Sequence, residues 1–493
     1  MEELPPNLAR ELRARSSAQS SHIALSHHGE DVTYRELWRR VDACGRALLS
    51  TGLASGDVIG IIGTSCVDFV VALVATWQIG AVTYPLAGTM ATSRRLGTGA
   101  LSQVQALLIQ RQLIHDRPLQ GIAQGFTMPS AIADTTFLVY RMPGHRPTEH
   151  PVPLDRTAIW IESSGTTGYS KAIKLGTTAT LANIRANVDS LGLTSGDRSL
   201  AFLPLSYSYG LVGQLLSHLY AGGSVVFPDD PTLVHRIPRA IADGHVTTMF
   251  TVPRLLRMLL SVAGMRPGAV PLKSLRLLTV GGEFVDTTTL RMTMDLLKGV
   301  DIAVTYGLAE AGPRVSTLRL PAELSHLGSV GKTIGGVQVK IVDDARREVR
   351  PGEIGEIVVT SPSVTQGYVG DVRPDGLVPG HLVYTGDLGY ITAAGYIYLL
   401  GRKHNCLAIG GRIVYANQLK EILYSCDGIV HADVVVDNLS HPADTARVVL
   451  SSQPGKALDL ASVRRRCETS LSISLDGVII EQATRNPAVM FRK

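Results

Sequence analysis

The chain has 493 residues, of which 45% are hydrophobic and 18% charged, and its formal net charge is +5. This length exceeds what one hydrophobic core supports, so we expect a large domain of two or more lobes and a smaller one. A small net charge without basic runs argues against a dedicated nucleic-acid-binding surface.

The cysteines and the apolar segments predict a protein of the cytoplasm. The five cysteines show neither a CxxC pair nor metal-ligand spacing with histidine, which is typical of thiols in a reducing compartment. They are Cys44, Cys66, Cys406, Cys426 and Cys467. The N-terminal MEELPPNLAR has no basic and apolar regions of a secretory signal. The longest apolar stretch, 67–82, carries Asp68 and Gln78, so we expect a buried helix and no membrane span.

Short β-branched strands alternate with amphipathic helices through the first part of the chain. The pattern predicts a strand at 58–63, a buried helix, a strand at AVTYPL and helices around 93–112. A further helix begins near Thr178, and SVVFP, TTMFTV and LRLLTVGG predict strands. This alternation indicates an α/β fold with parallel sheets covered by helices.

The pattern changes twice after this region. From about residue 335 turns follow one another closely and helices vanish, which predicts a β-rich subdomain over about 335–400. After Arg402 the strands VVVD, ARVVLSS and VIIEQ surround a helix over 458–471, which predicts a small α+β domain. We therefore predict a large N-terminal domain, 1–402, of two helix-covered sheets plus the β-rich subdomain, followed by a C-terminal domain, 403–493.

The segment IESSGTTGYSKAIKLG, 161–176, predicts a phosphate-binding loop. Seven of the eight residues 163–170 are Ser, Thr or Gly. Backbone N–H groups freed by glycine, together with hydroxyls, form a concave donor surface that suits the oxygens of a triphosphate. Ser170 and Ala172 occupy positions where a P-loop needs glycine and Ser or Thr, so this is a different phosphate loop. An ordinary Gly/Ser turn between strands is the structural alternative.

Four further segments carry candidate chemistry. TYGLAEAG, 305–312, contains Glu310, which could bind a divalent cation beside a triphosphate. YTGDLG, 384–389, places Asp387 on a tight turn, where its carboxylate can accept both hydroxyls of a ribose. GRKHNCLAIGGRIVY, 401–415, has a loop-borne Arg402, then His404, and VGGE, 280–283, ends a strand in two glycines. Each has a structural explanation on its own, but together and in this order they indicate a nucleotide site.

Through these segments, with AVTYPL and LPLSYSYGL, the chain resembles the adenylate-forming superfamily along essentially its whole length. That superfamily comprises acyl-CoA synthetases, adenylation domains of peptide synthetases and luciferases. The resemblance implies that a carboxylate attacks ATP to give an acyl-AMP and pyrophosphate, and that the acyl group then passes to a nucleophile. It also implies ATP and Mg²⁺ as cofactors and a C-terminal domain that rotates between the two steps.

The resemblance implies a role for individual residues of the nucleotide site. The residues that would hold the β- and γ-phosphates are Ser163, Ser164, Thr166, Thr167 and Lys171. Those that would hold adenine are Tyr306, packed on the ring, and Gly281, Gly282 and Glu283, which line it. Glu310 would hold Mg²⁺, Asp387 would bind the ribose hydroxyls, and Arg402 would lie near the ribose at the domain boundary. His404 falls at the hinge, a role that needs only backbone freedom.

The acyl substrate would occupy an open slot flanked by flat side chains. The residues that would form it are Tyr207, Tyr209, Gly210, Val280 and Gly307, with Gly281 nearby. For the two tyrosines, core packing with satisfied hydroxyls is the alternative.

The C-terminal adenylation lysine is missing. The superfamily ends with Gly-Lys on a loop after the last strand, and VIIEQATRNPAVMFRK contains no Gly-Lys. Similarity to an RNPxGK ending places Met490 at the lysine, and counting from Pro487 reaches Lys493. A third reading places a substituted lysine at Ala483, just past the strand.

Within the superfamily the chain most resembles stand-alone amide bond synthetases, which join an aromatic acid to a free amine. The enzyme alternative is an aryl- or acyl-CoA ligase, in which Gly410 and Gly411 would border a pantetheine tunnel. The non-enzyme alternative is an inactive adenylate-binding protein, suggested by the missing lysine. A carrier protein would be a separate partner, and neither nucleic acid nor a membrane is expected as one.

Overall fold

The computed structural model describes fourteen stretches and single positions of the chain. They are residues 7–87, 100–115, 119, 126, 130–132, 135–144, 157–163, 171–230, 233–264, 272–370, 376–409, 412–436, 445–453 and 455–483. Several predicted site residues lie outside them, namely Ser164, Thr166, Thr167, Gly410, Gly411, Met490 and Lys493. The side chain of Ser163 also lies outside the described part.

The described strands and helices alternate over most of the chain. The strands are β1 Ile23–His27, β2 Glu30–Thr33, β3 Val58–Gly63, β4 Val82–Ala87, β5 Ala106–Gln110, β6 Ser130–Ala131, β7 Phe137–Arg141, β8 Ile159–Ser163, β9 Lys171–Leu175, β10 Arg198–Leu200, β11 Ser224–Val226, β12 Thr248–Thr251, β13 Leu277–Gly281, β14 Asp301–Tyr306, β15 Ser316–Leu320, β16 Lys332–Thr333, β17 Gln338–Val342, β18 Gly355–Thr360, β19 Leu377–Val378, β20 Leu382–Ile391, β21 Ile397–Arg402, β22 Cys406–Ile409, β23 Arg412–Tyr415, β24 Ile429–Val436, β25 Ala446–Ser452 and β26 Val478–Gln482. The α-helices are α1 Leu8–Ser16, α2 Tyr34–Ser50, α3 Val67–Gln78, α4 Thr177–Leu191, α5 Ser217–Tyr220, α6 Ile237–Asp243, α7 Pro253–Gly264, α8 Thr287–Leu296, α9 Ala416–Tyr424 and α10 Leu460–Leu471.

Among the described residues, two large sheets form the N-terminal part. One has the order β16-β15-β14-β13-β12-β10-β11-β1-β2, and its central strands from β14 to β1 run parallel. The other has the order β6-β7-β5-β3-β4-β8-β9, with β5, β3, β4 and β8 parallel. The central strands are continuous apolar runs because helices cover both faces of such sheets. The predicted α/β fold is confirmed.

One predicted helix is wrong. The sequence predicted helices around 93–112, but residues 106–110 form β5, and every residue of that strand is buried. The run ALLIQ pairs in parallel with β3 and antiparallel with β7. A short apolar run has no helical period of its own, so its neighbours in the sheet decide its conformation.

The β-rich subdomain and the C-terminal domain follow. Strands β17 to β21 form an antiparallel sheet in which β20 is central. The closely spaced turns from about residue 335 predicted such a β-rich subdomain. Beyond the hairpin of β22 and β23, the described C-terminal residues form the sheet β24-β25-β26, packed with α9 and α10. The predicted helix over 458–471 is α10, which begins at Leu460.

The C-terminal domain contacts the large domain through α7 and α8. The Arg257 guanidinium lies 3.7 Å from the ring centroid of Tyr424 and donates from Nε to the carbonyl of Val430 at 2.9 Å. Its Nη1 also donates to Asp286 Oδ2 at 3.0 Å, within the large domain. Nearby, Glu421 accepts from the backbone N–H of Thr287 at 3.0 Å and from its hydroxyl. One buried arginine thus links the two domains.

Two further features concern the predictions made for the cysteines and for the apolar helix. All five cysteines are buried free thiols. In the described part of the chain, the helices are too short or too polar to traverse a lipid bilayer.

His218 gives the fold a pH dependence that can be measured. Its Nδ1 donates to the Gln214 carbonyl at 2.7 Å, so in the neutral ring Nε2 accepts from the Thr248 hydroxyl at 2.8 Å. Burial lowers the pKa of His218 from 6.5 to about 4. Because the pKa of His218 is lower in the folded protein than the ordinary value of 6.5, the neutral ring contributes fully to the free energy of unfolding above pH 6.5. This contribution is lost as the pH falls towards 4, by up to about 1.4 kcal/mol per pH unit.

We therefore expect His218→Gln to flatten the decrease in unfolding free energy between pH 6.5 and pH 4, measured by chemical denaturation. The matched control is His235→Gln, because His235 is exposed and its replacement should leave the slope unchanged. Equal slopes in all three proteins would contradict the assignment.

Candidate functional site

The site is built where two parallel strands end side by side. β13 ends at Gly281 and β14 at Tyr306, with Gly281 paired to Thr305. A Cβ on Gly281 would lie 2.2 Å from Thr305 Oγ1, and a Cβ on Gly307 would lie 2.2 Å from the Pro313 carbonyl oxygen. Only glycine permits this close approach, and the carboxyl ends of parallel strands are where α/β sheets bind ligands.

A first cavity of about 250 Å³ opens at this edge. Its lining includes Lys171, Tyr207, Tyr209, Gly282, Gly307, Glu310, Tyr368 and Arg402. The structure thus brings together predicted phosphate, adenine, metal, acyl-pocket and boundary residues from five separate segments. Tyr368 was not predicted from the sequence.

Tyr368 connects the predicted phosphate lysine with the predicted metal ligand. Its hydroxyl donates to Glu310 Oε1 at 2.9 Å, and Lys171 Nζ lies 5.5 Å from the centroid of its ring. Burial, followed by the negative charge of Glu310, raises the pKa of Tyr368, so the phenol stays protonated as a donor. The ring holds a cation on its face while its hydroxyl orients a carboxylate.

Backbone pairing fixes Tyr368 in this place. The Val369 N–H donates to the Ala172 carbonyl at 2.8 Å, and the Lys174 N–H donates to the Gly367 carbonyl at 2.8 Å. From the sequence, the segment GYVGD was predicted only to belong to a β-rich region. Nothing in its local spacing indicated that it would run beside β9.

Asp387 lies at the centre of a second group. It accepts from the Tyr306 hydroxyl at 2.7 Å and from Arg402 Nε at 2.9 Å, while Arg402 Nη1 donates to the Thr385 carbonyl at 2.9 Å. Burial raises the pKa of Asp387, and the positive charge of Arg402 opposes that rise. Burial also raises the pKa of Tyr306, which keeps the phenol a donor to the carboxylate.

The predicted local conformations of Asp387 and Arg402 are wrong. The sequence predicted a tight turn and a loop, but Asp387 lies within β20 and pairs directly with Arg402 in β21. Gly386 does have a positive φ of 70°, yet the strand continues through it and bulges after Leu388. The segment TGD suggests a turn, but the pairing with β21 keeps it extended and the irregularity is limited to a bulge.

The two tyrosines of the predicted acyl pocket both line the first cavity. Their rings meet edge to face at 6.4 Å. The Tyr209 hydroxyl lies 2.7 Å from Thr279 Oγ1, and the buried Arg314 guanidinium lies 5.2 Å from the ring centroid of Tyr209. Tyr209 is therefore both a packed core residue and part of the cavity wall.

Three predicted residues pack beneath the site. A Cβ on Gly210 would lie 2.5 Å from the Pro204 carbonyl oxygen, Val280 is fully buried, and Gly281 faces Thr305. Among the described residues, the linings of the two cavities do not include these three.

A second cavity of about 340 Å³ lies between the two domains. The large domain contributes Arg254, Glu283, Tyr306, Asp387 and Arg402, and the C-terminal domain contributes Lys420, Tyr424, His431 and Asp433. The two cavities share the lining residues Gly282, Thr305, Gly307 and Arg402. A ligand at the strand ends would therefore be within reach of both.

Two predicted C-terminal residues are not among the described residues that line the cavities. His404 belongs to the short 3₁₀ helix Lys403–Asn405, directly after β21. Ala483 follows β26, and its N–H donates to the Leu450 carbonyl at 2.7 Å. In the described part of the chain, neither residue is in the lining of either cavity.

The residues of the first cavity fit a magnesium ion bound together with phosphates. The described residues contain no cluster of three His, Cys, Asp or Glu side chains that could hold a metal alone. Mg²⁺ is usually bound by one or two carboxylates plus substrate phosphates. Glu310 supplies such a carboxylate, and Lys171 lines the same cavity.

Comparison with known proteins gives a consistent result. A family model described as AMP-binding enzyme matches residues 12–369. Feruloyl-CoA synthase from Amycolatopsis sp is 29% identical over 437 residues, which cover 86% of this chain and 84% of that protein.

Solved structures share the fold. The amide bond synthetase McbA from Marinactinospora thermotolerans has a TM-score of 0.79 and 22% identity, covering 98% of this chain and 97% of that one. The o-succinylbenzoate coenzyme A synthetase MenE from Bacillus subtilis, in complex with ATP and magnesium ion, has a TM-score of 0.78 and 23% identity. That match covers 97% of this chain and 96% of the other.

Proposed function

Because the chain belongs to the family of AMP-binding enzymes, we propose that it joins an aromatic carboxylic acid to an amine in two steps. The chain is an adenylate-forming ligase, and ATP and Mg²⁺ are its cofactors. In the first step the acid carboxylate attacks the α-phosphate of ATP and releases pyrophosphate. In the second the amine attacks the acyl carbon and AMP leaves. The aromatic acid and the amine are our inference.

The observation that carries the proposal is the convergence of Lys171, Glu310 and Arg402 on one cavity at the ends of β13 and β14. A carboxylate nucleophile needs no strong base, so the protein must mainly align the reactants and offset the charge that develops on phosphate oxygens. Lys171 and Arg402 supply fixed positive charge for that purpose. Magnesium would neutralise further phosphate charge beside Glu310.

The remaining groups orient the nucleotide. Asp387 is held by both Tyr306 and Arg402, so its oxygens are fixed where a ribose would meet them. Tyr368 fixes the Glu310 carboxylate by its hydrogen bond. We propose that Ser163, Ser164, Thr166 and Thr167 complete the phosphate site, and that Gly282, Glu283 and Gly307 border adenine and the acyl group.

Tyr207 and Tyr209 support an aromatic acid. Both line the first cavity, and flat side chains favour flat ligands through stacked or edge contacts. The relative from Amycolatopsis is named for a feruloyl, hence aromatic, acyl group.

We infer an amine acceptor from the resemblance of the sequence to amide bond synthetases, one of which, McbA, shares the fold. CoA is the second candidate, because the feruloyl-CoA synthase relative is a CoA ligase, and a separate carrier protein would present the same thiol.

The metal assignment can be tested by Glu310→Gln. The amide oxygen can still accept from Tyr368, so the change removes chiefly the charge. We expect acid-dependent exchange of pyrophosphate into ATP to slow at least about tenfold and to need more Mg²⁺. The control Glu348→Gln alters an exposed carboxylate paired with Lys340 and should leave exchange unchanged. An unaltered magnesium dependence in Glu310→Gln would remove Glu310 from this role.

The acceptor is tested by supplying benzoate, ferulate or indole-3-acetate with ATP and Mg²⁺, and adding phenethylamine, phenylalanine or CoA. Mass spectrometry should detect an amide. A thioester with CoA and no amide with any amine would contradict the amine acceptor and establish the ligase alternative. If a broad panel of aromatic and aliphatic acids supported no pyrophosphate exchange, the inactive adenylate-binding alternative would replace the proposal.

We propose that Ala483 stands where the family has its adenylation lysine, and this predicts a slow first step. A lysine charge at the α-phosphate acts like an oxyanion donor, so its absence should slow adenylation about 10²–10³-fold and leave acyl transfer from synthetic acyl-AMP intact. We expect Ala483→Lys to restore the reaction from acid and ATP, while Met490→Lys serves as the comparison. Restoration by Met490→Lys alone would place the lysine there instead. Full ATP-dependent activity of the unaltered chain would contradict the premise and direct attention to Lys493.

A further inference from the structure

Tyr368 is bonded to one of the two oxygens of the carboxylate that would bind magnesium. Its hydroxyl donates to Glu310 Oε1 at 2.9 Å. Within the described part of the chain, Glu310 Oε2 has no hydrogen-bond or ionic partner. The carboxylate therefore has one free oxygen, and both residues line the first cavity.

The segment 365–369 fixes Tyr368 between β9 and the turn that carries Glu310. The Thr365 N–H donates to the Glu310 carbonyl at 2.8 Å, and the Thr365 hydroxyl donates to the Lys174 carbonyl at 2.7 Å. The same short segment thus holds Glu310 at its main chain and at its side chain. This double attachment restricts rotation of the carboxylate.

The ring of Tyr368 is fixed as well as its hydroxyl. Lys171 Nζ lies 5.5 Å from the ring centroid, and Tyr368 forms an antiparallel bridge with Ile173 of β9. The side chain also packs against the largest hydrophobic cluster of the protein. A side chain that is already immobile orients its partner with little further loss of conformational entropy.

The other carboxylate of the first cavity is arranged in a similar way. Among the described lining residues the carboxylates are Glu162 and Glu310, and the Tyr84 hydroxyl donates to Glu162 Oε1 at 3.3 Å. Each carboxylate is thus bonded at one oxygen by a tyrosine. Ca²⁺ collects about six to eight oxygen ligands, often from bidentate carboxylates, whereas Mg²⁺ needs one or two carboxylates and takes its other ligands from phosphates and water.

We propose that Tyr368 is a positioning residue that limits Glu310 to a single oxygen ligand and so makes the site select Mg²⁺ over Ca²⁺. This inference rests on the proposed function, in which Glu310 binds the metal that accompanies ATP. Mg²⁺ is small and requires near-octahedral coordination, which a single carboxylate oxygen suits. Loss of the Tyr368 hydroxyl would release the second oxygen, to the advantage of the larger ion.

Calorimetric titration measures this selectivity without turnover. Mg·ATP and Ca·ATP are each titrated into the full chain in the absence of an acid substrate, and the ratio of the two Kd values is compared between proteins. The variants are Tyr368→Phe, Glu310→Gln and the double variant. The matched control is Tyr390→Phe, because Tyr390 stacks on Tyr398 and is not among the described residues that line the cavities. Both Kd values come from one preparation, so a partly unfolded sample does not alter their ratio.

We expect the unaltered chain to bind Mg·ATP more tightly than Ca·ATP. In Tyr368→Phe the ratio should move towards Ca·ATP by at least about fivefold, because a hydrogen bond to a charged group is lost. Tyr390→Phe should match the unaltered chain. In the Glu310→Gln background, Tyr368→Phe should add no further shift, since the carboxylate that it orients is gone.

The inference and the proposed function fail in different ways. If Glu310→Gln weakens Mg·ATP binding but Tyr368→Phe leaves the ratio unchanged, the inference is overturned and the proposed metal site stands. A shift that persists in the Glu310→Gln background would also overturn it, because the hydroxyl would then act through another group. If Glu310→Gln leaves Mg·ATP binding unchanged, the proposed metal site fails and the inference fails with it.

Discussion

The carboxylate of Asp387 joins three parts of the molecule. It lies on a strand of the β-rich subdomain, accepts from Tyr306 at the end of a strand in the nine-stranded sheet, and pairs with Arg402 at the last strand before the C-terminal domain. Burying a carboxylate is costly unless its oxygens are bonded, and here both oxygens are. Because the three parts share one charged group, the geometry of the nucleotide region depends on all of them being in register.

The same edge of the sheet explains why the two cavities adjoin. The glycines at 281 and 307 allow backbone contact that side chains would prevent, and this places Gly282, Thr305 and Gly307 at the common wall. One cavity collects the charges suited to phosphate and metal, and the other collects groups from both domains. The proposed two-step reaction needs activated acid and acceptor to meet at one carbon, and adjoining cavities at a strand end would suit that need.

Local patterns in the sequence predicted most of the fold. Continuous apolar runs and helical periods identified the central strands, α3 and α10, and the family motifs indicated Lys171, Glu310, Asp387 and Arg402, which line the cavities. What failed depends on distant neighbours. ALLIQ is a strand because β3 and β7 flank it, and TGD is extended because β21 pairs with it. Tyr368 could be recognised as a site residue only from the structure, because its partners Glu310 and Lys171 are far from it in the sequence.

Arg257 has a consequence for the proposed domain rotation. It offers the C-terminal domain a guanidinium stacked on Tyr424 and a hydrogen bond to the Val430 carbonyl, both neutral partners. Its ionic partner, Asp286, belongs to the large domain and caps α8. When the domains separate, the arginine gives up an aromatic face and a carbonyl, which water can replace, and keeps its counter-ion. The interface can therefore open without isolating a buried charge, as the rotation implied by the family resemblance would require.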